Sequence, residues 1–306
     1  MNGLKRREFL SFSLAVASAA PLKAQEPRGK FPVEARGRLS VSTYPFRKLI
    51  ATPRGDEEEP AKTGMSLEEF AKTIRPRLNV PGIEPWSHHF QSTGSDYVSG
   101  LRDSFSAAGV RVVNIPVDIG VRLCGTSQER EAGLATYHKW VDAAVILGSP
   151  GIRVHLPHGE QGDQINCAVS GLKALADYGA SKNIVINLEN DEPETEQPAR
   201  IVKVIKAVNS PFLRALPDFC NSMLIHDDQS YNNRAMSMLF PLAFNISHVK
   251  DMEQDGKKVY RVDINQIFAI AKNAGYKGYF SMEWEGVGDP YAGTAKLIEA
   301  SLRYLG

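Results

Sequence analysis

Short apolar runs alternate with longer, helix-forming stretches along most of this chain. The apolar runs predict eight strands, at residues 38–46, 80–86, 110–117, 151–156, 184–189, 212–218, 242–250 and 278–283. Helix-forming stretches follow them, beginning at 66–70 and then at 96–108, 127–147, 166–182, 196–208, 234–239, 263–274 and 290–305. Apolar strands separated by helices are typical of a parallel sheet.

Eight strand–helix units predict a single-domain α/β fold, a (β/α)8 TIM barrel over residues 38–306. The alternative is an open doubly wound sheet, which would normally carry a glycine-rich turn after its first strand. The sequence Tyr44-Pro45-Phe46-Arg47 stands there instead and favours the barrel.

Four predicted strands end on a residue able to bind a metal. These residues are Glu189, Asp218, His248 and Glu283. Side chains alternate across a strand, so Glu283 shares a face with Ser281 and Glu285 in the run 279–286. A buried carboxylate is costly unless a cation or proton pairs with it. Because parallel strands end at one edge of a barrel, we expect the four side chains to bind one divalent ion, Mn, Mg, Co or Zn. The alternative is four independent polar groups near loops.

Composition and charge narrow the class of protein. The chain has 306 residues, a net charge of +1 and 42% hydrophobic residues, as expected for one large soluble domain or two small ones. Near-neutral charge argues against nonspecific nucleic-acid binding. Cys124, Cys167 and Cys220 are widely spaced and lack a CxxC pair, so we expect buried thiols rather than disulfide partners.

Residues 1–25 resemble a bacterial Tat signal peptide. Arg6 and Arg7 form a twin-arginine core, an apolar run follows at 12–20, and cleavage sites lie at 17–19 or 22–24. The prediction is recognition by the Tat export machinery and a periplasmic or secreted protein, folded and loaded with its cofactor before export. An amphipathic N-terminal helix is the alternative, and an uncleaved signal would anchor the protein to the membrane. Residues 26–37 are polar and predicted to be a linker.

Four segments resemble the signatures of the xylose-isomerase-like sugar isomerase/epimerase superfamily. They are Asn187-Leu188-Glu189-Asn190, Pro217-Asp218-Phe219, His248-Val249-Lys250-Asp251 and Phe280-Ser281-Met282-Glu283. The resemblance is strong over strands five to eight and weak before strand four. It implies a barrel that holds one divalent metal on the four residues named above. That group includes ketose 3-epimerases, hydroxypyruvate isomerases, inosose dehydratases and endonuclease IV.

The chain departs from this pattern at one position. Many epimerase relatives carry a histidine three residues after the strand-six aspartate, where this chain has Asn221. Endonuclease IV relatives carry a His-rich, three-metal site and a basic DNA-binding face. The neutral charge and the missing histidines argue against that activity here.

The metal and two glutamates predict proton transfer next to a sugar carbonyl. The ion would polarise the carbonyl, and Glu189 and Glu283 would serve as base and acid through a metal-bound enediolate. Return of the proton gives epimerisation or isomerisation. One alternative is a lyase or dehydratase acting on an oxidised (keto) sugar, inositol or glycoside, which export favours because phosphorylated sugars are scarce outside the cytoplasm. Another is a non-catalytic sugar-binding barrel, against which the paired glutamates argue.

Further polar residues near the predicted strand ends are candidates for substrate binding. These residues are Glu84, His88, His155, His158, Asn221 and Lys250. His155 shares the inward face of its strand with Arg153, and Trp86 between Glu84 and His88 is suited to stack on a sugar. Alternatives are a capping glutamate with surface histidines, and a salt bridge from Lys250 to Asp251 or Glu285. The relatives often form dimers or tetramers, so a homo-oligomer is also expected.

Overall fold

Eight parallel strands close into a barrel, which confirms the predicted fold. The computed structural model describes residues 25–53, 64–157 and 164–305. The barrel strands are β1 (Leu39–Ser42), β2 (Gly82–Glu84), β3 (Arg111–Val112), β4 (Gly151–Val154), β5 (Val185–Glu189), β6 (Leu213–Leu216), β7 (Ile246–Val249) and β10 (Tyr279–Met282). They pair in the orders β3–β2–β1–β10–β7 and β4–β5–β6. Bridges between Pro116 and Arg153 and between Asp218 and His248 join these two sheets into a closed barrel.

Helices surround the strands. They are α1 (Leu67–Leu78), α2 (Ser95–Ala107), α3 (Ser127–Leu147), α4 (Gln164–Lys182), α5 (Pro198–Val208), α6 (Ser222–Ile225), α7 (Gln229–Leu239), α8 (Ile264–Asn273) and α9 (Pro290–Leu305). Ser66 caps α1 in a reciprocal pair with Glu69, as the sequence predicted. Gly109 and Gly148 follow α2 and α3 with φ of 69° and 70°, the left-handed conformation that glycine adopts without strain. None of the described helices is both long and apolar enough to span a bilayer.

Several predicted strand boundaries are wrong for local reasons. The first strand ends at Ser42 rather than 46, because Tyr44–Phe46 forms a 3-10 turn around Pro45, which has no N–H for a ladder. The seventh strand begins at Ile246, because a second 3-10 turn occupies Phe240–Leu242. The hairpin of β8 (Met252–Asp255) and β9 (Lys258–Arg261) was not predicted, because its sequence is mostly polar.

The two faces of each strand have different environments. Phe280 and Met282 on β10 pack in the main apolar core, whereas Ser281 and Glu283 lie on the other face and are also buried. This is the alternation that the sequence predicted for the run 279–286.

Three asparagines link the barrel interior to its C-terminal end. Asn187 donates to the side-chain oxygens of Asn114, at 3.2 Å, and Asn245, at 3.1 Å. Gly151 leaves room for them, since a Cβ there would lie 2.8 Å from Nδ2 of Asn187. Asn114 in turn donates to Glu84 Oε1 at 2.8 Å. A buried polar network therefore runs upward through the barrel instead of an all-apolar core.

Cys124 and Cys167 form a disulfide, so the expectation of free thiols is wrong for this pair. Their Cα atoms lie 5.4 Å apart although 43 residues separate them in sequence. That proximity depends on the packing of α4 beside the loop before α3, which spacing alone does not reveal. Cys220 is a buried free thiol, as expected.

The segment predicted to be a linker makes specific contacts with the N-terminal end of the barrel. Phe31 packs edge-on against Phe244 and Tyr279, with ring centroids 5.3 and 5.5 Å away. The backbone of Arg28 exchanges two hydrogen bonds with the Asn183 side chain, at 2.9 and 3.1 Å. This segment therefore covers apolar surface at the start of β7 and β10.

We predict that Phe31→Ala destabilises the barrel and that Val33→Ala does not. Phe31 is half-buried against the barrel, whereas Val33 is 95% exposed. A loss of about 1–3 kcal/mol is expected for Phe31→Ala, less than for a fully buried phenylalanine. Urea unfolding of both variants measures the difference. Equal midpoints would show that the segment contributes no stability.

Candidate metal centre

The four predicted metal ligands converge at the C-terminal ends of β5, β6, β7 and β10. Glu189 Oε1 lies 2.6 Å and Glu283 Oε2 lies 3.1 Å from Nδ1 of His248. One ligand atom from each of these residues and from Asp218 lies within 4.8 Å of all the others. All four residues are buried. The four residues were selected because each ends a predicted strand, which we call the strand-end rule, and the structure brings these four residues together.

The cluster leaves oxygen atoms that lack a hydrogen-bond partner. Oδ1 of Asp218 accepts from the backbone N–H groups of Cys220 and Asn221, at 2.8 and 2.7 Å. Oδ2 of Asp218 and Oε2 of Glu189 are buried and accept no hydrogen bond, although Lys250 Nζ lies 3.9 Å from the first and Arg153 Nε lies 2.9 Å from the second. A buried carboxylate oxygen without a partner is costly, and a bound cation removes that cost. Three carboxylates with one imidazole suit a hard or borderline divalent ion, so the donor set fits the predicted metal.

Glu84 orients the His248 ring through the nitrogen that faces away from the other carboxylates. Its Oε1 lies 3.0 Å from Nε2 of His248, which leaves Nδ1 directed at the carboxylates. A second carboxylate on the far nitrogen is the usual companion of a metal-bound histidine. Glu84 is fully buried and does not line the cavity described below. It was predicted to contact substrate, but its contacts are with His248 and Asn114.

The electrostatics show an excess of negative charge. Burial opposes protonation of His248, yet Glu189, Glu283 and Glu84 raise the pKa of His248 well above its ordinary value. Burial, together with Glu189 and Glu283, raises the pKa of Asp218 to about 7 in spite of Lys250. Such a site favours any added positive charge, which a divalent ion would supply.

Each of the two glutamates also has a basic neighbour. Nε of Arg153 lies 2.9 Å from Glu189 Oε2, and Nζ of Lys250 lies 3.5 Å from Glu283 Oε2. Burial alone would raise the pKa of Glu189, but His248 and Arg153 lower it below its usual value. His248 and Lys250 do the same for the pKa of Glu283. Ser42 donates to Glu283 Oε1 at 3.0 Å and fixes its orientation.

A cavity of about 330 Å³ opens beside the cluster. Seven acidic residues line it, namely Asp118, Glu189, Asp191, Glu192, Glu253, Glu283 and Glu285. Arg153 and Lys250 also line it. Burial and Arg153 oppose protonation of His155, yet Asp118 and Glu196 raise its pKa to about 10, so it is a third cation among the described lining residues. Tyr44 and Trp86 add an aromatic edge, with ring centroids 5.1 Å apart. The cavity is therefore acidic, with a small aromatic surface suited to the C–H face of a sugar.

The predicted substrate-binding residues divide into two groups. His155, Asn221 and Lys250 line the cavity. Lys250 donates to Asn221 Oδ1 at 3.1 Å and also pairs with Glu285 at 3.4 Å. His88 lies behind Trp86, with Nε2 2.6 Å from the Asp118 carbonyl oxygen. His158 lies outside the described residues.

Six charged residues of the cavity were not assigned to the site from the sequence. They are Asp118, Arg153, Asp191, Glu192, Glu253 and Glu285. Asp118 contacts Arg153 and accepts from Trp86 Nε1 at 2.5 Å, and it directly follows the third predicted strand. The strand-end rule that selected Glu189 would therefore have selected Asp118. Glu253 lies on the hairpin that the sequence did not predict.

The chain belongs to the Xylose isomerase-like TIM barrel family, whose model matches residues 77–305. A search of curated proteins gave no significant match.

Solved structures of similar fold include proteins with different functional descriptions. A Xylose isomerase-like TIM barrel protein from Mycobacterium smegmatis, in complex with magnesium, has 19% identity and a TM-score of 0.69 over 89% of this chain and 98% of its own. The 3-keto-D-glucoside 4-epimerase of E. coli has 17% identity and a TM-score of 0.62 over 87% and 98%. A probable 3-DHS dehydratase from Bacillus anthracis has 13% identity and a TM-score of 0.64 over 86% and 98%. At these identities the likeness shows the fold.

We predict that Glu84→Gln weakens metal binding without removing a ligand. The amide places less negative charge on Nε2 of His248, and changes of this kind cost about 10–100-fold in metal affinity. Isothermal titration with Mn²⁺ measures the change. His88→Gln serves as the control, because His88 lies behind Trp86 and contacts no cluster residue. Equal affinities for the Glu84 variant and the unaltered protein would contradict this role of Glu84.

Proposed function

We propose that this protein is a divalent-metal-dependent isomerase or epimerase of a neutral keto-sugar. The observation that carries the proposal is the buried cluster of Glu189, Asp218, His248 and Glu283, with an Asp218 oxygen that accepts no hydrogen bond, beside an acidic cavity. The family includes barrels described as sugar epimerases, one of which acts on a 3-keto-D-glucoside by its name. The magnesium complex of another structural relative supports a divalent ion.

Glu189, Asp218, His248 and Glu283 would hold the ion, which supplies Lewis-acid polarisation of the substrate carbonyl when bound. Glu189 and Glu283 both lie against Nδ1 of His248, and each has its own cationic neighbour. One glutamate takes the proton from the carbon next to the carbonyl, and the other returns a proton. Because the pKa of both glutamates is lowered, both are ionised before substrate binds. The glutamate that returns a proton would first take one from solvent, and the other would release its proton to solvent to complete the cycle.

The charge of the cavity selects the class of sugar. Seven acidic side chains line the cavity, against Arg153, Lys250 and His155 among the described lining residues. A phosphate or carboxylate on the substrate would be repelled by this field, whereas hydroxyl groups donate hydrogen bonds to carboxylates. Tyr44 is partly exposed and provides apolar contact for a sugar ring, whereas Trp86 is 1% exposed and packs behind it. A neutral polyhydroxylated ketone therefore fits better than a sugar phosphate.

We predict that Glu189→Gln and Glu283→Gln each abolish proton exchange in substrate. Loss of a general acid or base typically lowers the rate about 10²–10⁴-fold. NMR in D₂O follows deuterium incorporation next to the carbonyl of keto-hexoses and 3-keto-glucosides, with protein-bound metal verified by mass spectrometry.

Glu131→Gln, an acid-to-amide change at an exposed position of α3, is the matched control. Exchange within a few-fold of the unaltered rate in either metal-loaded glutamate variant would contradict the proton-transfer assignment. Release of water with a new C=C bond would identify the lyase alternative. Sugar binding without any exchange would identify the non-catalytic binding barrel.

We further propose export to the periplasm through the Tat pathway. The twin arginines Arg6 and Arg7 support it, and so does the disulfide between Cys124 and Cys167, since disulfides persist in oxidising compartments. Replacing both arginines with lysine is expected to retain the protein in the cytoplasm. Fractionation of a bacterial host that has a Tat system measures this, and unchanged periplasmic recovery would contradict it.

A further inference from the structure

A second cavity lies directly beside the first. It has a volume of about 580 Å³, larger than the 330 Å³ of the cavity at the metal ligands. His155 and Glu192 line both, so the two spaces are adjacent and share a wall. We call the cavity at the metal-ligand cluster the inner cavity and the second one the outer cavity. Glu189 and Glu283, the groups assigned to proton transfer, line the inner cavity. A ligand in the outer cavity would therefore be a part of the substrate that does not react.

The outer cavity has two chemically distinct sides. Its apolar side consists of Ile119, Val121, Leu123, Leu156 and Pro157. Its polar side carries Glu192, Glu194 and Glu196 from the loop after β5, of which Glu192 and Glu194 are exposed. Arg122 and His155, whose pKa is raised to about 10 by Asp118 and Glu196 in spite of burial, are the cations among the described lining residues. A ring with one apolar face and hydroxyl groups matches both sides, whereas an anionic group meets an excess of acid.

The walls are held in place by buried contacts. Glu196 is 1% exposed and accepts from the backbone N–H of Leu156 at 2.5 Å and of Glu192 at 3.0 Å. Its Oε1 also lies 3.2 Å from Nδ1 of His155, so one carboxylate ties both sides of the cavity to the shared histidine. Hydrogen bonds to the buried Glu196 side chain therefore fix the residues at the bottom of the outer cavity.

The apolar side is clamped between two helices. A Cβ at Gly133 of α3 would lie 2.6 Å from the carbonyl oxygen of Arg122, and one at Gly171 of α4 would lie 2.9 Å from Cβ of Leu123. Only glycine at these two positions lets the helices approach the loop this closely, because any other residue would add a Cβ that clashes. The disulfide from Cys124 to Cys167 fastens the same loop to α4. Several independent features fix this wall next to the reaction site.

We propose that the outer cavity is a subsite for the second ring of a glycoside, which makes the substrate a keto-glycoside and not a free monosaccharide. This rests on the proposed function, because it assumes that the keto-sugar ring occupies the inner cavity. The reacting ring lies against Glu189 and Glu283, the aglycone lies between Val121 and Glu194, and His155 lies at the junction.

The test compares sugars with their glycosides in two assays on the metal-loaded mature protein. Isothermal titration uses D-glucose, D-galactose and D-mannose and their methyl and phenyl β-glycosides. Deuterium exchange uses the corresponding 3-keto compounds. We expect the phenyl glycoside of at least one sugar to exceed its free sugar on the order of tenfold in affinity and in exchange rate.

Two variants separate the subsite from general effects. Val121→Trp fills the outer cavity and is expected to reduce the glycoside-to-sugar ratio to near one. Glu194→Ala, at an exposed position that tolerates change, is expected to lower the ratio several-fold if Val121→Trp folds poorly. Val33→Trp is the control, because Val33 is 95% exposed at the opposite end of the barrel. Circular dichroism checks folding.

The outcomes distinguish this inference from the proposed function. Equal binding and exchange of sugars and glycosides, unaffected by either variant, would overturn the subsite while leaving the proposed function in place. Absence of exchange in every compound would overturn the proposed function. In that case the titrations alone decide the subsite: phenyl glycoside binding that Val121→Trp removes supports it, and no glycoside preference refutes it.

Discussion

The structure is organised around negative charge buried at the end of a barrel. Glu84, Glu189, Asp218 and Glu283 surround one imidazole, and each would be costly to bury without compensation. His248 pairs with three of them, and Arg153 and Lys250 flank the site. Oδ2 of Asp218 still lacks a hydrogen bond. A divalent ion is the simplest group that would complete this charge balance.

Hydrogen bonds inside the barrel hold the buried charged groups in position. Asn187, Asn245 and Asn114 form a hydrogen-bonded series that ends on Glu84, which holds Nε2 of His248. The backbone bridge between Asp218 and His248 closes the barrel at the level of the metal ligands. Closure of the barrel and geometry of the site are therefore coupled, since moving β6 relative to β7 would separate two ligands. Acid excess in both cavities is the basis of our proposal that the substrate is neutral and rich in hydroxyl groups.

The fold and the convergence of the four strand-end residues were predictable because both follow from local pattern. Alternation of side chains within 279–286 predicted that Glu283 points into the barrel. Parallel strands end at one edge of a barrel, so Glu189, Asp218 and His248 at the ends of three other strands were expected to lie near Glu283. The predicted end of the first strand was wrong because Tyr44–Phe46 forms a 3-10 turn. The hairpin that carries Glu253 was missed because its polar sequence shows no alternation of apolar and polar residues. The disulfide, the packing of Phe31 and the role of Glu84 depend on long-range contacts, which residue spacing does not encode.

The central claim is that the strand-end cluster binds one divalent ion. The most direct measurement is metal content by mass spectrometry on purified mature protein, beside the His248→Ala variant. The account predicts about one Mn, Co, Zn or Mg per chain, lost in the variant. A protein that contains no such metal, and whose melting temperature does not rise when these ions are added back, would contradict it.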